Sequence, residues 1–125
     1  MDENATAQSV IGAALEVHRT LGPGLLESAY QACLARELGL IGLPFQTEAV
    51  IAVEYKGLNV KSAYRADFLI NHQLIVELKT VDNILPVHRA QLLTYLKWSG
   101  LKLGLIFNFS AKLLKQGMHR VVNNL

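Results

Sequence analysis

The 125-residue sequence has one cysteine, Cys33, and its first residues lead us to expect no signal for export. A single cysteine excludes an internal disulfide and a zinc site built on cysteines, so a disulfide-framed secreted module is ruled out. Residues 1–4 are polar and acidic, whereas a secretory signal peptide begins with a basic leader and an apolar core. We therefore expect a cytoplasmic protein.

Long apolar runs and strong charge are also missing. The longest stretch without a polar side chain is residues 38–45, which contain two glycines and a proline, whereas a membrane helix needs about 20 apolar residues. Charged residues make up 18% of the chain, and the net charge is only +2. We expect no membrane span, and the net charge alone does not indicate a nucleic-acid partner.

Three stretches show the apolar spacing of amphipathic helices. The first ends at a Gly-Pro-Gly break at residues 22–24, and the second is expected to end at Gly39. The third has Pro86 at its first position and stops at Gly100. The predicted helices cover residues 5–21, 25–38 and 86–99.

Strands are predicted between and after the last two helices, where β-branched and apolar residues dominate. A Lys56-Gly57 turn and a short polar connection at residues 71–73 join the first three strands. The predicted strands cover residues 49–53, 58–70, 74–80, 103–107 and 118–122. The resulting order, ααβββαβ with a last short strand, predicts an α/β layer fold.

Three charged residues interrupt the apolar strands. Asp67 lies in the second predicted strand, and Glu77 and Lys79 lie in the third. A buried ionised group is costly unless it is paired or binds a metal. Because Glu77 and Lys79 are two residues apart, they leave the same face of the strand, about 6–7 Å apart. We expect them to share a site.

The position of Asp67 depends on the register of the hairpin. If residues 71–73 form a three-residue loop, Asp67 lies opposite Glu77, with Cβ atoms about 4.5–5.5 Å apart. A two-residue turn would place Asp67 opposite Val76, and only a bulge would then restore the convergence. Both registers are open at this stage.

Two converging carboxylates repel each other unless a hard divalent cation such as Mg²⁺ or Mn²⁺ lies between them. A neighbouring lysine can orient or deprotonate a water, and this combination suits phosphodiester hydrolysis. The alternative is an ordinary solvated strand face. The apolar residues around Glu77 and Asp67 favour the functional interpretation.

Several motifs in the right order resemble the PD-(D/E)XK nuclease superfamily. They are Asp67, the run Glu77-Leu78-Lys79, and Gln91 with Tyr95 on the following helix. Residues 24–30, Gly-Leu-Leu-Glu-Ser-Ala-Tyr, are similar to the signature of the small GxxExxY proteins within that superfamily. The sequence departs from the superfamily's motif at one position, because Ala66 and not a proline precedes Asp67.

The resemblance implies a fold and a set of site residues. The fold is a restriction-endonuclease-like three-layer αβββαβ core, with a central mixed sheet of about four to five strands, and residues 1–125 would form one nuclease-like domain. The implied catalytic and metal-binding residues are Asp67, Glu77, the backbone carbonyl of Leu78, and Glu27 around the metal, Lys79 beside the attacking water, and Gln91 against Lys79 or the substrate.

The favoured function is an Mg²⁺- or Mn²⁺-dependent nuclease that acts on DNA or RNA. Nucleic-acid contacts are expected from Arg65 and Arg89 and from Tyr95 and Tyr30, with a core role for the two tyrosines equally open. A further basic set comprises Lys102, Lys112, Lys115 and Arg120. A homodimer would supply the grip that a bare catalytic core lacks. The alternatives are a non-catalytic nucleic-acid-binding or regulatory module that retains the fold, and a purely structural oligomer.

Overall fold

The structure, a computed structural model, describes residues 1–125 except for the side chain of Ser62. Within this described part the elements follow the predicted order, including the last short strand. They are α1 (Glu3–Leu21), α2 (Glu27–Leu40), β1 (Phe45–Tyr55), β2 (Leu58–Ile70), β3 (Leu74–Lys79), α3 (Pro86–Ser99), β4 (Leu103–Asn108), a 3-10 helix (Leu114–Gly117) and β5 (Met118–Val122).

The described strands form one mixed sheet in the order β1-β2-β3-β4-β5. Only β3 and β4 are parallel, because α3 connects them as a crossover. The apolar residues of α1 and α2 pack against one face of the sheet, and Leu92 and Leu96 of α3 pack against the other. This arrangement confirms the predicted three-layer α/β fold.

Three helix ends differ from the prediction, and one of them is the start of α2, which lies at Glu27 and not at residue 25. Helix α1 begins two residues early because the side chain of Asp2 accepts a hydrogen bond from Ala5 N–H at 2.8 Å and so caps the helix. The predicted stop of α2 at Gly39 is wrong, since the helix continues to Leu40. The chain turns instead at Gly42, which has a φ of +71°.

The β2–β3 connection combines both registers considered from the sequence. Asn71 and His72 each have a φ of +53°, and Gln73 N–H donates to the Ile70 carbonyl at 3.0 Å, as in a two-residue hairpin turn. Strand pairing nevertheless starts with Ile70 opposite Leu74. Gln73 is therefore an extra residue, and the three-residue register is the one that forms.

Strands β1 and β2 change face together at one level of the sheet. Ala66 packs under α3, whereas Phe68, two residues later, packs under α1 and α2. Residues two apart in a regular strand face the same side, so the strand must be irregular at Asp67. On β1 the irregular residue is Glu48, whose left-handed φ of +51° costs about 1 kcal/mol. The kink therefore lies where Asp67 enters the sheet.

A glycine on β4 permits the close approach of α3. A Cβ atom on Gly104 would lie 2.7–2.8 Å from three side-chain atoms of Leu92. We expect Gly104→Ala to lower the free energy of unfolding by about 1–3 kcal/mol, because the buried leucine must shift. Gly12→Ala is the control, since Gly12 lies in α1 with no atom near the added Cβ.

Urea denaturation followed by circular dichroism measures both changes. The control should raise the free energy of unfolding by about 0.5–1 kcal/mol, because alanine favours the helix. An unchanged midpoint for Gly104→Ala would contradict the tight α3–β4 packing.

Candidate active site

A cavity of about 160 Å³ lies between the sheet and α3. It receives side chains from α2, β2, β3, α3 and β4. The lining residues are Glu27, Tyr64, Arg65, Asp67, Glu77, Lys79, His88, Gln91, Leu92, Tyr95 and Ile106. The structure thus brings together Glu27, Asp67, Glu77, Lys79 and Gln91, with Arg65 and Tyr95 beside them.

Asp67 and Glu77 face each other across β2 and β3. The Oδ2 atom of Asp67 accepts a hydrogen bond from Leu78 N–H at 2.8 Å, and Glu77 Oε2 accepts one from Asp67 N–H at 3.4 Å. Each carboxylate is therefore held by the main chain of the opposite strand. The convergence expected from the three-residue register is confirmed.

Glu77 is the most deeply buried acid of the cavity, with 8% of its surface exposed. Burial raises its pKa to about 7, and the negative charges of Glu27 and Glu48 act in the same direction. The hydrogen bond from Asp67 N–H and the charge of Lys79 oppose this rise. Near neutral pH, Glu77 is thus poised between its protonated and ionised forms.

The other two acids of the cavity are perturbed in the same direction. Burial raises the pKa of Asp67, and Glu48 adds to the rise, while the hydrogen bond from Leu78 opposes it. Burial and the charge of Asp67 raise the pKa of Glu27. Raised pKa values on neighbouring carboxyl groups mark a place where a cation would relieve repulsion.

Sequence reasoning missed Glu48, which lies on β1 at the level of Asp67. Its Oε1 atom accepts a hydrogen bond from Gln31 Nε2 at 3.0 Å, and the same nitrogen lies 3.4 Å from the carbonyl oxygen of Asp67. Counting back from the Lys56-Gly57 turn pairs Glu48 with Arg65. A register shift between Ile51 and Val53 moves it to Asp67.

Tyr64 is the second residue that the sequence did not indicate. Its ring stacks on that of Tyr95 at the cavity wall. Its hydroxyl oxygen is buried and has no hydrogen-bond partner among the residues that the structure describes. A buried hydroxyl without a partner destabilises the fold.

Two expected nucleic-acid contacts are not part of the cavity. Tyr30 is fully buried, donates to the Gly22 carbonyl at 2.6 Å and stacks on Phe109. Its predicted contact with nucleic acid is wrong, because the apolar stripe of α2 turns this ring into the core. Arg89 lies on α3 outside the cavity lining and contacts His119 instead.

The side chains present suit a hard divalent cation. No three His, Cys, Asp or Glu side chains in the described part of the chain are grouped closely enough to hold an ion by themselves. Mg²⁺, however, is usually held by one or two carboxylates and keeps several waters. Asp67 and Glu77 supply such oxygens, and the cavity of about 160 Å³ has room for several waters at about 30 Å³ each.

Comparison with known proteins agrees with this geometry. The family model described as the PD-(D/E)XK nuclease superfamily matches residues 4–121. The chain belongs to this superfamily, whose nucleases act on nucleic acids and generally use divalent metal ions.

The crystal structure of SSO0001 has a similar fold, with a TM-score of 0.58 and 22% sequence identity. The match covers 79% of this chain and 51% of that chain, so this chain spans about half the length of SSO0001. No curated protein matches the sequence. None of the described helices has the length and apolar character needed to cross a membrane.

The raised pKa of Glu77 predicts that the metal-free protein loses stability as pH rises. The group ordinarily titrates at 4.5 and in the folded protein at about 7, so the folded state binds the extra proton between these values. That stabilisation is fully present below pH 4.5 and disappears as pH passes 7. We expect a loss of roughly 3 kcal/mol between pH 4.5 and 8.

Urea denaturation in EDTA at several pH values measures this loss. Glu77→Gln should flatten the profile, whereas Glu54→Gln, an exposed acid on β1, should leave it unchanged. Equal profiles for all three proteins would contradict the assignment to Glu77.

The unpartnered hydroxyl of Tyr64 gives a second prediction. Tyr64→Phe should leave the free energy of unfolding unchanged or raise it by about 1 kcal/mol, because it removes a buried polar atom without a partner. Tyr30→Phe, which removes a hydroxyl bonded to Gly22 and Leu25, should lower it by about 1–3 kcal/mol. Thermal or urea denaturation compares the pair, and a larger loss for Tyr64→Phe would mean that its hydroxyl has a partner in solution.

Proposed function

We propose that the protein is a metal-dependent nuclease that hydrolyses phosphodiester bonds of DNA, with RNA as the alternative substrate. The observation that carries this proposal is the pair of carboxylates of Asp67 and Glu77, held across β2 and β3 beside Lys79. Membership of the PD-(D/E)XK nuclease superfamily supports it.

In this proposal Asp67 and Glu77 would bind Mg²⁺ or Mn²⁺ together with the backbone carbonyl of Leu78. Glu27 lines the same cavity but is not grouped closely with the other two acids, so it would act on the ion through one of the waters that Mg²⁺ retains. Bound there, the ion supplies Lewis acidity that polarises a phosphoryl oxygen and lowers the pKa of a water. The raised pKa values of the three carboxyl groups support this role, because their repulsion falls when a cation binds.

Lys79 leaves β3 on the same face as Glu77 and lines the cavity with it. We assign it to the attacking water, which its ammonium group orients for in-line attack. Gln91 reaches the cavity from α3, where its amide can hold Lys79 or the substrate. Arg65 and Tyr95 line the same cavity. We assign them to contacts with the phosphate and sugar of the cleaved strand.

We also propose that the chain is one of the GxxExxY proteins. The three named positions of that motif have three separate tasks in this fold. Gly24 has a φ of +108°, which other residues rarely adopt. Glu27 lines the cavity, and Tyr30 packs in the core.

Three further predictions from the sequence stay part of the proposal: a single nuclease-like domain over residues 1–125, a cytoplasmic location and a homodimer. An exposed apolar groove lined by Val50, Leu69 and Trp98 supports a second copy as partner. Sedimentation velocity over a range of protein concentrations tests the dimer.

Cleavage of labelled single-stranded and duplex DNA and RNA in Mg²⁺ or Mn²⁺ tests the nuclease activity. Asp67→Asn and Lys79→Ala should each lower the rate by about 10²–10⁴-fold, because each removes a group that acts on the reacting phosphate or water. An asparagine oxygen can still accept the Leu78 N–H bond, so the fold should survive.

Glu54→Gln is the matched control and should cleave like the wild type, since Glu54 is exposed and does not line the cavity. Equal cleavage by all four proteins would point to a contaminating nuclease. No cleavage by the wild type, with metal binding that still depends on Asp67, would favour the non-catalytic binding module instead.

A further inference from the structure

The small net charge conceals a strong asymmetry along the chain. All ten acidic residues occur at or before Asp82, whereas residues 83–125 contain six Lys and Arg residues and no acid. Residues 83–125 include α3, β4, the 3-10 helix and β5. Helix α3 and the β4–β5 end of the sheet are therefore built from a segment in which every charged side chain is Lys or Arg. Such a distribution of charge is typical of nucleic-acid-binding surfaces.

Two arginines of this segment have only neutral partners. Arg89 Nη1 lies 3.3 Å from His119 Nδ1, and Arg89 Nη2 donates to the Arg120 carbonyl at 3.4 Å. Arg120 Nη2 donates to Asn4 Oδ1 at 2.6 Å. Among the residues that the structure describes, the salt bridge that forms is between Arg19 and Glu16 on α1, and it involves neither Arg89 nor Arg120. The charges of Arg89 and Arg120 are thus not neutralised and are available to an anion.

A polar cavity of about 330 Å³ continues the same surface. Lys112, Gln116 and His119 line it from the C-terminal part of the chain, and Asn83 lines it from the loop before α3. Asp82 is the one acid in its wall. Lys115 lies in the 3-10 helix beside Gln116 and is exposed.

The basic surface begins next to the candidate active site. Arg89 directly follows His88, which lines the catalytic cavity. On the sheet, His119 pairs with Ile106, which also lines that cavity. A nucleic-acid strand with its scissile phosphate at Lys79 therefore meets this surface as it leaves the cavity.

We propose that the α3–β5 edge holds the phosphodiester backbone of the nucleic-acid strand that enters the catalytic cavity. The edge is defined by Arg89, Lys112, Lys115 and His119. The inference rests on the proposed function, and it adds the surface that supplies most of the affinity. Since phosphate contacts carry no base information, this edge sets affinity and strand position and not sequence preference.

Lys97 and Lys102 provide a matched control on the same elements. Lys97 lies eight residues after Arg89 on α3, about 12 Å along the helix axis. Lys102 belongs to the basic set identified in the sequence, but it precedes β4, at the end of that strand opposite to Asn108 and the polar cavity. The structure therefore leaves Lys102 outside the edge. Both lysines are exposed, so neutralising them changes the net charge equally without touching the edge.

The test compares Arg89→Gln/Lys112→Gln with Lys97→Gln/Lys102→Gln, both in the full chain carrying Lys79→Ala. Fluorescence anisotropy with labelled duplex and single-stranded DNA gives Kd as a function of NaCl concentration in EDTA. The edge variant, Arg89→Gln/Lys112→Gln, should bind DNA at least tenfold more weakly than its parent, and the loss should be the same for DNA of unrelated sequences. Its log–log salt slope should fall by about 2, because each lost phosphate contact removes about 0.9 on duplex DNA.

The control variant should stay within about twofold of its parent and keep its salt slope. Equal losses in both variants would overturn the proposal, since net charge alone would then explain binding, and so would a parent protein that binds no nucleic acid. Failure of the proposed function is distinguishable: the wild type would not cleave in Mg²⁺, yet the edge variant would still lose binding. If the wild type cleaves and both variants bind equally well, the proposed role of the edge is overturned while the proposed nuclease function stands.

Discussion

The hydrogen bonds between β2 and β3 at Asp67 and Glu77 link the fold to the candidate chemistry. In a regular ladder a main-chain carbonyl would accept each strand N–H group, but here carboxylate oxygens accept those of Leu78 and Asp67. The two carboxylates therefore complete the hydrogen bonding between β2 and β3 at the level of the sheet that borders the cavity. Removal of either side chain therefore has two effects: a main-chain N–H group loses its partner, and the cavity loses a carboxylate.

This dual role explains why the acids tolerate an unfavourable environment. Burial, and to a smaller extent repulsion from nearby acids that include Glu48, raises the pKa values of Glu27, Asp67 and Glu77, so these positions favour protonated side chains. Lys79 offsets part of the repulsion and does not reverse it. The main-chain bonds hold the two strand acids in place meanwhile, so a cation meets a preorganised pair and little ordering cost remains.

Local patterns predicted the element order, the last helix and the charged residues of the cavity. The hairpin at residues 71–73 had two registers, and the extra residue Gln73 decided between them. The sequence could not indicate Glu48, because the register shift in the β1–β2 hairpin depends on packing of the sheet and not on the Lys56-Gly57 turn. Gly39 was predicted to end α2, but the helix continues through it to Leu40. Burial of Leu38 stabilises this last turn by more than the free energy that a glycine within a helix costs.

Arg89 also has a consequence for association of the chain with itself. Strand β5 is the last in the sheet, and an edge strand presents unpaired main-chain groups that can template pairing with another molecule. The guanidinium of Arg89 reaches across this strand to the Arg120 carbonyl and takes one of those acceptors. The charges of Arg89 and Arg120 beside this border of the sheet therefore disfavour its pairing with a strand of another molecule.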